Sequence, residues 1–99
     1  MKSFKYTING NVYKVHINST KSTIGHMFAG GGAVELITCV KSINEGYIHP
    51  TVGLLEDDPE CDLDYTKGEG IHTPVHIAIS NSLGFGGHNA TVLVKEYQD

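Results

Sequence analysis

Lys21 and His26 stand five positions apart in the stretch Ser19-Thr20-Lys21-Ser22-Thr23-Ile24-Gly25-His26. They lie between a short apolar run and a glycine-rich segment, where a strand would end, a polar turn follow and a helix start. A lysine carries a fixed positive charge, and an imidazole can donate or accept a proton near neutral pH. The pair therefore suits proton handling, or stabilisation of negative charge that develops on a carbonyl oxygen. A second stretch with chemical potential is Gly84-Phe85-Gly86-Gly87. Glycines let a chain turn with unusual dihedrals while an N–H stays open to a bound group. The same residues also suit plainer roles: a solvated turn lysine, a helix-start histidine and an ordinary connection between strands.

Other patterns point to less. His72 and His76 are four apart but straddle Pro74, and neither they nor Cys61 belong to a tight ligand pair, so no metal site is expected. Glu56-Asp57-Asp58 with Asp62 and Asp64 lacks the glycine and terminal glutamate of a calcium loop. The glycines at 30–32 and 84–87 lack the lysine and spacing of a phosphate loop. Asn89-Ala90-Thr91 is a glycosylation site only in a secreted protein.

The 99 residues make one small domain at most, with a thin stability margin. A formal charge of −4 without a Lys/Arg cluster argues against nucleic acid or an anionic membrane as partner. The apolar runs are too short to span a membrane and no leader pattern opens the chain, so a cytoplasmic location is expected. Cys39 falls in an apolar helical pattern and Cys61 in an acidic loop, so two reduced thiols are expected rather than a disulfide.

The elements that must position these residues give an α+β chain. Phe4, Tyr6 and Ile8, then Tyr13, Val15 and Ile17, alternate with neighbours of the opposite face around Asn9-Gly10, which predicts a β-hairpin over residues 3 to 17. Ile24, Met27, Phe28, Leu36, Ile37, Val40 and Ile43 approximate one 3.6-residue face, which predicts one main helix from 24 to about 44. Gly30-Gly31-Gly32 weakens it by roughly 1 kcal/mol per glycine. Either another backbone or a substrate approaches closely there, or a loop breaks the helix in two. Residues 47 to 74 read as mostly irregular, and two strands, 75–79 and 91–95, close the chain around the glycine-rich loop.

Ser19 to His26 also resembles the lysine–histidine motif of β-ketoacyl-[acyl-carrier-protein] synthases, the condensing enzymes of fatty acid and polyketide synthesis. Ile48-His49-Pro50-Thr51, Pro59-Glu60-Cys61-Asp62-Leu63-Asp64-Tyr65 and Ser80-Asn81-Ser82-Leu83-Gly84-Phe85-Gly86-Gly87-His88-Asn89 follow that family's text in order. The resemblance spans residues 19–97 and implies a fragment of the thiolase-like α/β fold. It implies decarboxylative condensation of an acyl thioester with malonyl-carrier, an acyl carrier protein as partner, and no cofactor. His26 matches the residue that donates to the malonyl thioester carbonyl, and Lys21 the one that tunes the histidines. Glu35 falls where a glutamate pairs with that lysine. Phe85 matches the residue whose N–H is half of an oxyanion hole and whose ring gates the acyl pocket, and Gly84, Gly86 and Gly87 shape the substrate-binding loop. Leu83 replaces a phenylalanine often found there.

The family's cysteine nucleophile and its separate first-histidine motif are both absent, and without a nucleophile no acyl-enzyme forms. The chain by itself is therefore expected to be inactive, the C-terminal part of a synthase. The rival from another class is a non-catalytic α+β module. Residues 1–18 weakly resemble the opening hairpin of biotin carboxyl carrier proteins but lack the Met-Lys-Met attachment site. This places a seam near Asn18, with 1–18 a hairpin of separate origin and 19–99 the synthase portion. Strands cut from a larger sheet leave an open edge unless the hairpin covers it, so a homo-oligomer or a marginal, aggregation-prone monomer is expected.

Overall fold

The computed structural model describes residues 4–98. Strands β1 (Phe4–Ile8) and β2 (Asn11–Val15) form an antiparallel hairpin in which Phe4 faces Val15 and Ile8 faces Asn11. The turn is two residues long: Asn9 and Gly10 both take positive φ, 51° and 80°, as a hairpin turn of this length favours. Asn11 thus opens β2.

The helical region departs from the single helix expected from residue 24. A one-turn helix α1 (Lys21–Ile24) ends at Gly25, where φ is 81°. A second left-handed residue, Phe28 at φ 51°, precedes a 3-10 turn (Phe28–Gly30), and only then does the main helix α2 run, Gly31–Glu45. Two positive-φ residues three apart cannot sit inside a right-handed helix. Gly31 and Gly32 therefore occupy the first turn of α2, and no other backbone lies within 4 Å of where a Cβ at 30, 31 or 32 would stand. Gly46, in the left-handed region, caps α2 with its N–H on the Ser42 carbonyl at 2.9 Å.

After α2 come β3 (Tyr47–Ile48) and β4 (Ile71–His72), a minimal antiparallel pair that staples the ends of the long irregular segment. The closing hairpin is longer than expected, β5 (Ile77–Leu83) and β6 (Asn89–Lys95). Ser80-Asn81-Ser82 gave no apolar alternation to read, yet β5 continues through them. The three two-stranded sheets do not pair with one another, so the β1–β2 hairpin covers neither edge of β5–β6.

Packing explains the serines. Helix α2 packs against β5. On β5 the half-buried residues are Ala78, Ser80 and Ser82, and on α2 they are Val34, Glu35, Thr38, Cys39, Ser42 and Ile43. Small side chains let helix and sheet approach closely. Much of the 3.6-residue apolar face faces outward: Leu36, Ile37 and Val40 are exposed, Ile37 by 60%. On the sheet's other face the cross-strand pair Ile79 and Leu93 is 55% and 58% exposed. No hydrophobic side chain among the described residues is buried. The radius of gyration is 14.1 Å, looser than the roughly 13 Å of a compact domain this long.

Candidate functional site

Lys21 opens α1, and its Nζ donates to Glu35 Oε1 at 2.6 Å, which joins the first turn of the site to the second turn of α2. Glu35 is mostly covered and Lys21 partly so. The carboxylate fixes the direction of the ammonium group and balances its charge.

His26 lies in the bend after α1. The Phe28 N–H donates to His26 Nδ1 at 2.9 Å. Nδ1 can accept only without a hydrogen, so the neutral ring carries its proton on Nε2. The left-handed backbone of Phe28 accompanies this contact, and the two rings stack with centroids 4.9 Å apart. The outcome is an exposed imidazole with Nε2–H free to donate to an incoming oxygen.

The loop from Gly84 to His88 is closed by the Gly84 N–H on the His88 carbonyl at 2.6 Å. Gly86 and Gly87 take φ of 80° and 84°, which ordinary residues adopt only under strain. Phe85 stands at the crest with its ring fully in solvent, 103% exposed. Among the described residues its ring makes no aromatic contact, so the chain holds Lys21 and Glu35 together but does not hold Phe85 against His26.

Neither cysteine is built as a nucleophile. Both thiols are free, Cys61 in the exposed loop and Cys39 on the covered side of α2. Burial, and secondarily the Glu35 carboxylate one turn away, push the Cys39 thiol above its usual range, so it holds its proton. Among the described residues no group of three His, Cys, Asp or Glu could hold a metal, and no helix is long and apolar enough to cross a membrane.

The structure adds a residue to which no role attached in the sequence. The Ile48-His49-Pro50-Thr51 segment lies along the Lys21 turn. His49 meets the Thr20 hydroxyl through Nε2 at 3.0 Å and the Pro50 carbonyl through Nδ1 at 2.8 Å. The segment stood out in sequence, but only the fold shows what it touches.

The profile of the family described as β-ketoacyl synthase, C-terminal domain, matches residues 2–55, which includes both Lys21 and His26. The chain belongs to this family. The 3-oxoacyl-[acyl-carrier-protein] synthase 2 of Synechocystis sp. is 42% identical over 97 residues, 98% of this chain and 23% of that protein. The chloroplastic synthase I of Hordeum vulgare is 42% identical over 88 residues, 89% of this chain and 19% of that protein. Synthase 2 of Staphylococcus aureus is 38% identical over 98 residues, 99% of this chain and 24% of that protein. These alignments extend across Asn18 into the β1–β2 hairpin. A solved type II polyketide synthase acyl-carrier protein in complex with its ketosynthase, bound to the hexaketide, superposes with a TM-score of 0.81 at 34% identity, over 87% of this chain and 21% of that one. The chain spans about a quarter or less of the length of the synthases it matches. Its α+β arrangement is a fragment of the ketosynthase fold.

Proposed function

We propose that this chain is the C-terminal part of a condensing enzyme that joins an acyl thioester to malonyl-[acyl-carrier-protein], acting in the cytoplasm once completed by the N-terminal portion that supplies the cysteine. The observation that carries this reading is the Phe28 N–H on His26 Nδ1, because it leaves Nε2–H as the donor a thioester carbonyl needs. In this reading the malonyl group's bond to its carboxylate breaks, CO2 leaves, and the electron pair forms an enolate whose oxygen accepts from His26 Nε2–H. The enolate carbon then attacks the acyl carbonyl on the cysteine sulfur, the oxyanion receives the Phe85 N–H, and the thiolate departs. Lys21, held by Glu35, sets the field around the imidazole without touching substrate. Gly84, Gly86 and Gly87 give the loop its shape.

The test is complementation. The N-terminal portion of the Synechocystis relative, up to where the match begins, is co-expressed with this chain and supplied with acyl- and malonyl-carrier. Product is expected from the complex, none from either part alone, and none with His26→Ala. A stable complex that releases no CO2 and forms no β-ketoacyl product would sink the reading. The Cys39 thiol favours a second reading, a non-catalytic α+β module, and that result would support it.

A further inference from the structure

We propose that His49 is a positioning residue for Lys21, acting through the Thr20 hydroxyl. The four-residue helix α1 is far too short to be stable by itself, so the Lys21 turn takes its shape from outside. The position before it is Thr20, a residue type that commonly caps a helix through its own hydroxyl. Here Thr20 makes no such cap, and its hydroxyl is turned to His49 Nε2. A carbonyl oxygen can only accept, so the Pro50 contact places the His49 proton on Nδ1 and leaves Nε2 to accept the Thr20 O–H. The His49 main-chain carbonyl also accepts from the Asn18 side-chain amide at 2.9 Å, and the Val52 N–H donates to Ser22 Oγ at 2.9 Å. Residues 49–52 thus hold the turn on both sides of Lys21, while Glu35 holds the far end of its side chain. Among the described residues His49 makes its hydrogen bonds to Thr20, Asn18 and Pro50, not to Lys21 Nζ or a group proposed to react. Its effect is to decide where Lys21 begins.

The inference rests on the proposed function only for why Lys21 matters, and its test uses no substrate, so the two can fail separately. In the whole chain, nitrogen-15 shifts of the His49 ring are expected to show Nδ1 protonated and Nε2 bare. Amine labelling followed by peptide mass mapping then reads the exposure of Lys21. Thr20→Val and His49→Phe are expected to speed Lys21 labelling roughly fivefold, the population ratio one ordinary hydrogen bond commands. Lys95 should label unchanged, and Thr20→Ser should behave as the parent. Unchanged Lys21 labelling in both variants would overturn the proposal. If a variant unfolds, Lys41 and Lys67 label faster as well, and the ring tautomer of the parent decides: a proton on Nε2 overturns the proposal, one on Nδ1 supports it.

Discussion

Glu35 Oε1 accepts from Lys21 Nζ at 2.6 Å across fourteen residues of chain, and burial, aided by the same carboxylate, raises the Cys39 thiol one helical turn further on. One acidic side chain therefore orients the site's lysine and reinforces the effect of burial on the nearest thiol. The lysine end is partly open to water, so the ion pair contributes less than about 1 kcal/mol to stability.

Glu35→Gln separates these effects. The Cys39 thiol is expected to titrate lower and to alkylate faster at a given alkaline pH, because a negative charge beside it is gone. Burial, the larger cause, remains, so the thiol stays above its ordinary value. In the parent the raised thiol binds its proton more tightly when folded. Stability is thus full below the unfolded thiol's pKa and declines as pH rises through the folded one. A pH–rate profile of alkylation for parent and variant, with Cys61→Ser in both, checks this. A profile unmoved by Glu35→Gln would refute the electrostatic part.

The His26 ring should show the Nε2–H tautomer in nitrogen-15 spectra at neutral pH, with a cross-peak from Nδ1 to the Phe28 amide proton. Phe28→Gly keeps the N–H and suits the left-handed backbone, so the tautomer is expected to persist despite the lost ring contact. A proton on Nδ1 in the parent would remove the donor role assigned to His26.

Thr66 tests the clasp that ends β2. It is 2% exposed, its hydroxyl donates to the Ile17 carbonyl at 2.9 Å, and its N–H donates to Asp64 Oδ1 at 3.0 Å. Asp64 also accepts from His16 Nδ1 at 3.1 Å. Thr66→Val keeps the shape but strands the Ile17 carbonyl, at a cost of about 1–2 kcal/mol. A lowered urea midpoint is the expected result, and an unchanged one would show that water replaces the hydroxyl.

How much of this was legible in the sequence varies by element for physical reasons. Asn9-Gly10 between alternating runs announced its hairpin, because the turn chemistry and the period are both local. Lys21 with Glu35 followed from the family resemblance, and the fold does bring them into contact. The apolar spacing of Ile24, Met27 and Phe28 fits a helix, whereas the positive φ at Gly25 and Phe28 that breaks it does not show in spacing. Strand β5 was cut short because Ser80 and Ser82 face a helix that needs small residues, the reverse of an apolar strand signal. The role of His49 depends on contacts 29 and 31 residues away, beyond the reach of any local pattern.

The remaining prediction concerns association. Among the described residues β5 and β6 pair only with each other, which leaves both outer edges of that sheet open, and Ile79 and Leu93 stand side by side on its bare face. Open edges flanked by apolar side chains recruit further strands unless charge blocks them. The isolated chain is therefore expected to self-associate as concentration rises in analytical ultracentrifugation. Ile79→Lys combined with Leu93→Glu places opposite charges on the bare face, paired across the strands, and should shift the population toward monomer without loss of helix content. Under the proposed function, adding the N-terminal portion of a synthase should do the same by covering these surfaces. A sharp monomer at every concentration would show that three two-stranded sheets and the α2 helix packed on one of them suffice to close this chain on itself.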